Sequence, residues 1–148
     1  MRRRGEEGQT LLEFALLLPL LAALLVGIIL GGVTFYDDVT LADAVRVGAR
    51  TLAVNRSAGA GPPTACTLAN TALTSAAVNL NQSLITIAPE TFTGSGGSTC
   101  SNLVAGDTAT VQATYPCNLT IPFVGINLCP VVNSSGSFIS SQTTVRIE

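Results

Sequence analysis

The chain has 148 residues, which allows one domain and not two. Only 11% of residues are charged, against a usual value of about 25%, the net charge is −2, and there is no His. This excludes a basic nucleic-acid binder, which needs a Lys/Arg field, and all His-dependent chemistry, including the Ser/His/Asp triad and the commonest zinc ligand sets; a hydrophobic content of 47% also argues against disorder.

Arg supplies all seven positive charges, and three of them open the chain as Arg2-Arg3-Arg4. By the positive-inside rule this flank stays in the cytoplasm. From Phe14 to Tyr36 there are 23 residues without a charge. About 20 such residues cross a bilayer core as a helix. A removable secretory signal is the competing reading. The run exceeds the usual core of about 7–15 residues, however, and Gly31-Gly32-Val33 is a poor cleavage site, which favours a retained anchor. Glu13 lies at the cytoplasmic edge of this run, between Leu12 and Phe14. An ionisable group there is costly and needs a partner. A cut after Gly8 would make Gln9 the new N-terminus and place its amine one helical turn from Glu13.

Helix-forming sequence continues from Asp37 to Arg56, with an apolar stripe at Val39, Ala42, Val45, Ala49 and Leu52. Asp43, Arg46 and Arg50 are helix neighbours beside it. Helix from Thr10 to Asn55 would extend about 69 Å, of which the bilayer core takes about 30 Å and the rest forms a stalk. Pro19 is expected to kink it near the cytoplasmic end.

Beyond Arg56 the composition changes. From Ser57 to Glu148 the only charges are Glu90, Asp107, Arg146 and Glu148. Ser, Thr, Asn and Gly replace them, as on a surface covered by other subunits or sugars, or on a tethered domain. Residues 57–63 read as a linker. Thr67 to Leu80 reads as a second helix with Leu68, Ala72, Ala76 and Leu80 on one face. Leu84 to Ala88 reads as a strand, and Gly94 to Ser98 as a loop. Thr108 to Tyr115 alternates, with Ala109, Val111, Ala113 and Tyr115 on one side; Ile139 to Ile147 alternates with Thr143, Val145 and Ile147 together. The fold class is therefore α+β: a long transmembrane and stalk helix, then a small domain with a short helix and an antiparallel sheet.

The four cysteines, Cys66, Cys100, Cys117 and Cys129, lie outside the cytoplasm in this topology, where disulfides persist. Three pairings are possible. Cys117–Cys129 is favoured because it closes a loop of about 13 residues, a contribution of about 3 kcal/mol. Cys66–Cys100 would follow. Their spacing lacks the close pairs of a zinc site, so no metal is expected. Residues 119–126, within the Cys117–Cys129 loop, are apolar and suit either the core or a contact surface, the core being preferred. The triplets starting at Asn55, Asn81, Asn118 and Asn133 fit the glycosylation pattern but read as polar surface loops. With neither His nor Lys, and with Glu90 and Asp107 isolated, no catalytic residue or cofactor is expected.

Gly8, Gln9, Glu13, Phe14 and the apolar helix resemble the start of type IV pilin-like proteins. Residues 3–6 and 8–16 more closely resemble the TadE/TadG-like family of tight-adherence (Flp, type IVc) pilus systems of bacteria. Residues 41–50 look like its extracytoplasmic helix, and residues 110–116 and 142–148 like its closing strand pair. The cysteines and the uncharged outer domain depart from that pattern. The resemblance implies a leader at 1–8, a transmembrane and stalk helix at 9–56, and an extracytoplasmic domain at 57–148. It implies processing at Gly8–Gln9 by a prepilin peptidase and assembly through Glu13 and Phe14. The implied partners are the inner membrane and other pilin-like subunits or copies of the chain, not nucleic acid. The implied role is a structural pilus component serving surface adhesion, either minor or as the main filament subunit. A membrane-tethered monomeric adhesin or binding module is the alternative.

Overall fold

In the computed structural model, which describes residues 6–56, 63–117, 119–120, 125, 127, 129, 131–133 and 136–148, one helix dominates. Helix α1 spans Glu6–Val54, 49 residues, and runs through Pro19 without a break. It is longer than the expected 10–55 segment at its start and one residue shorter at its end. At 1.5 Å per residue it is about 73 Å long.

The two halves of α1 differ in burial. Leu11, Leu12, Leu16, Ile28, Ile29 and Phe35 are all more than 60% exposed, whereas Leu41, Val45, Ala49 and Leu52 are fully buried. The expected stripe needs correction at its lower end. Val39 stays 44% exposed and Ala42 is half-buried, and the buried stripe starts at Leu41 and includes Ala44. Spacings of three and four residues define the face, but the position of the outer domain along the helix decides where it begins.

Helix α2 spans Ala65–Ala76 and packs across upper α1. Thr64 caps it, its side chain accepting from the Thr67 amide at 3.3 Å. It stops short of the expected Leu80 because Ala77 leaves helical geometry and the Gln82 side-chain Nε2 donates to the freed Thr74 carbonyl. The buried residues of the helix are Ala65, Cys66, Ala69 and Leu73, so the inward face is rotated from the expected Leu68/Ala72/Ala76 face, which is half-buried. A 3-10 turn, Gln82–Leu84, takes part of the expected first strand.

The sheet is antiparallel. β1 (Thr86–Ile87) and β2 (Thr91–Thr93) both pair with one edge of β3 (Thr108–Pro116). The other edge of β3 pairs along its length with β5 (Gly136–Arg146), and β4 (Val131–Asn133) pairs with the start of β5. β2 and β4 have no counterpart in the sequence reading; each is three residues long, too short for a periodic signal. β3 alternates as expected: Ala109, Val111 and Ala113 are fully buried, and Thr110 hydrogen-bonds across to Thr144 at 2.8 Å. The apolar face of β3 joins α1 and α2 in one core, closed by Leu103 and Ile147. The linker segment 57–62 and most of the apolar 119–126 loop lie outside the described residues.

Two bridges fasten this domain. Cys66 on α2 is joined to Cys100, and Cys117 at the end of β3 to Cys129. Cys117–Cys129 is the pairing that loop length favours, and Cys66–Cys100 is the one that follows from it.

Candidate functional site

The site is the lower half of α1. Gly8 and Gln9 lie within the helix, two residues or more past its start at Glu6. Glu13 is exposed, bordered by Leu12, Leu16 and Leu17. Four residues separate it from Gln9, which is one helical turn. Phe14 is 59% exposed. Glu13 and Phe14 are both exposed, so each is open to contacts outside the chain.

From Leu11 to Tyr36 the helix carries Leu, Ile, Val and Phe on every side, with no buried face. It is the one helix among the described residues long and apolar enough to cross a membrane, and it lies near the N-terminus. Every backbone group in the middle of such a helix is satisfied internally. Thr34, the one aliphatic hydroxyl in the apolar run, donates to the Leu30 carbonyl at 3.0 Å, so it carries no open donor out of the helix. Where the run ends, Tyr36 accepts from Asn79 at 2.6 Å, tying the helix to the loop after α2.

The outer domain contains one built polar cluster, missed by the sequence reading. Asp107 is 4% exposed. Its carboxylate accepts from the Gly96 amide at 3.1 Å, the Ser98 amide at 3.2 Å and the Ser98 hydroxyl at 2.8 Å. The Ser98 side chain and these amides hold the carboxyl below its ordinary value of 3.8. Gly94, at φ +152°, and Gly96 make room for it: a Cβ on either would overlap the Asp107 carboxylate. The signal was available, since a lone Asp in a nearly uncharged segment calls for a buried role. The Ser98 hydroxyl in turn accepts from the Val104 amide at 2.9 Å, so the cluster ties the loop together.

Glu90 lies beside the Cys66–Cys100 bridge, with one buried carboxylate oxygen lacking a hydrogen bond. Both sulfurs are in the bridge and offer no thiolate for a metal. Two of the glycosylation-like asparagines have structural partners. Asn81 accepts from Ser83 in the 3-10 turn, and Asn55 donates to the Thr51 carbonyl.

No curated protein and no solved structure matches the chain. A family model does, described as TadE-like protein, and it covers residues 8–50, which lie within α1. Gly8, Gln9, Glu13 and Phe14 all fall within it. The chain thus carries an N-terminal segment similar to the TadE-like family, within a helix long and apolar enough to cross a membrane.

Proposed function

We propose that this chain is a pilin-like subunit that is anchored in the inner membrane and then assembles through its N-terminal helix into a surface filament that serves adhesion. A prepilin peptidase removes residues 1–8, and the mature chain begins at Gln9. Residues 57–148 lie outside the cytoplasm. Glu13 meets the Gln9 amine of a neighbouring copy or pilin-like subunit, which compensates a carboxylate that would otherwise sit unpaired in an apolar core. Phe14 packs beside it.

The observation that carries this reading is the contrast along α1: apolar and exposed all round from Leu11 to Phe35, buried on one face from Leu41 to Ala53. The outer domain covers only the upper half. The lower half needs lipid or other helices around it, and a filament core supplies the second. Intact-mass measurement of the natural protein, combined with analysis of sheared surface fibres, tests the reading. The expected species has 148 less 8 residues, or 140, and is found in the fibres. A chain starting at Met1 and confined to the membrane would refute it and favour a tethered monomeric adhesin. Its abundance in the fibres separates a main subunit from a minor one.

A further inference from the structure

The described outer part of the chain has few charges, and they are segregated. A cavity of about 520 Å³ between upper α1 and the end of β5 is lined by Arg46, Arg50 and Arg146, with Glu148 as its one acid. Arg46 also holds Asp43 at 3.0 Å in an exposed pair. Arg50 and Arg146 have no ion-pair partner among the described residues. Lower on the same helix, where the apolar run ends, Asp37 and Asp38 are half-buried and likewise lack an ion-pair partner. Asp107 is committed to its loop. Asp37 and Asp38 on the one hand, and Arg50 and Arg146 on the other, thus lie at two levels along the stalk.

We infer that the three-arginine cavity receives the Asp37–Asp38 pair of a second copy of this chain, shifted along the stalk. The inference rests on the filament reading and deepens it by naming the contact that sets the offset. From Asp37 and Asp38 to Arg46 and Arg50 is 8 to 13 residues, an axial shift of about 12–20 Å. At about 100° per residue, Asp37 lies half a turn from Arg46, so donor and acceptor faces are different surfaces of the helix. Such a contact is heterologous: each copy offers its acids to one neighbour and its arginines to another, and the chain of contacts does not close. Two copies standing side by side in a bilayer have no such offset. Their acids lie level with each other, and the pairing becomes available only when one copy rises relative to the next.

A lipid phosphate fits less well. Arg46 and Arg50 lie 10 and 14 residues beyond Tyr36, or about 15 and 21 Å along the helix. The head-group layer extends only about 5–8 Å past the hydrocarbon edge.

A charge-swap cycle in the full chain, expressed in its natural host, tests this. The ratio of protein in sheared fibres to protein in the membrane is measured for wild type, Arg50→Glu, Asp38→Arg and the double variant. Formation of both disulfides in the membrane pool reports export and folding for each. Each single variant is expected to lower the ratio about tenfold, since a close pair is replaced by like charges. The double variant, whose charges are exchanged, is expected to recover to within about threefold of wild type. A double variant as low as the singles, with both disulfides formed, overturns the inference and leaves the filament reading intact. A loss with Arg50→Glu but none with Asp38→Arg also overturns it, and points to an acidic partner other than a second copy. Wild-type protein absent from the fibres overturns the filament reading and this inference together.

Discussion

Gly48 offers the sharpest test of how the outer domain grips the stalk. It sits in the interior of α1, where α2 crosses. A Cβ there would lie 3.0 Å from the Leu73 Cβ and 3.2 Å from the Ala69 carbonyl oxygen. Neither neighbour yields by a rotamer change, because one is the first atom of a fully buried side chain and the other is backbone. Gly in a helix interior costs about 1 kcal/mol relative to Ala, and Val would regain about half of that. Overpacking by the three added carbons costs about 1–3 kcal/mol. The net effect of Gly48→Val is a loss of about 0.5–2.5 kcal/mol. For a domain of this size each kcal/mol moves Tm by about 4–8 °C, so the outer domain should melt roughly 2–20 °C lower. The assay is protease resistance of the full chain in detergent micelles over a temperature series. Gly27→Val is the control, since a Cβ at Gly27 meets nothing within 4 Å. A Gly48→Val domain melting at or above the wild-type temperature would refute the close crossing.

Three further outcomes are expected. The depressed Asp107 carboxyl stabilises the domain fully above the ordinary carboxylate value of 3.8, and this contribution is lost as pH falls through the lower folded value. Asp107→Asn should therefore melt lower than wild type at pH 6 and converge on it at about pH 2; parallel Tm–pH curves would disprove the linkage. Replacing Cys117 and Cys129 together by Ser should cost the outer domain about 2–5 kcal/mol in denaturant titration while leaving membrane insertion unchanged; an unchanged midpoint would show that the bridge contributes nothing. Glu13→Gln keeps shape and removes charge, so membrane level and both disulfides should stay normal while the amount in sheared fibres falls; normal incorporation would rule out the proposed pairing.

The extent to which sequence exposes this molecule varies with the range of the forces involved. The apolar run, α1, β3 and β5 are long enough for a period to emerge above noise, and their alternation matches burial residue by residue at Ala109, Val111 and Ala113. α2 is rotated from its expected face because the helix is rich in Ala and Thr. With Ala at positions 65, 69, 72 and 76, several faces are equally apolar, and only the disulfide at Cys66 and the crossing at Gly48 select one. β2 and β4 exist through their partners rather than their own composition. The Asp107 loop depends on amides brought in from Gly96 and Ser98, a contact that no pattern along the chain encodes. The arginine cavity joins residues nearly a hundred positions apart, Arg50 and Arg146, and only the β5–α1 packing reveals it.

Under the filament proposal, the division of α1 would let one helix serve two environments. Burial of Leu41, Val45, Ala49 and Leu52 against α2 and the sheet fixes the upper half to the outer domain, and fully burying each such side chain is worth about 1.5–3 kcal/mol. The lower half contributes nothing to that core. Among the described contacts its last link to the outer domain is the Tyr36–Asn79 hydrogen bond, at the top of the apolar run. In that proposal, exchange of lipid for neighbouring helices around Leu11 to Phe35 would leave the outer core intact, because no described buried contact would have to break. Both surroundings are apolar, so hydrophobic transfer contributes little to the exchange, and close packing and polar pairing must decide it. Glu13 at one end of the exposed run, and Asp37 and Asp38 at the other, are the acids placed where such pairing can act.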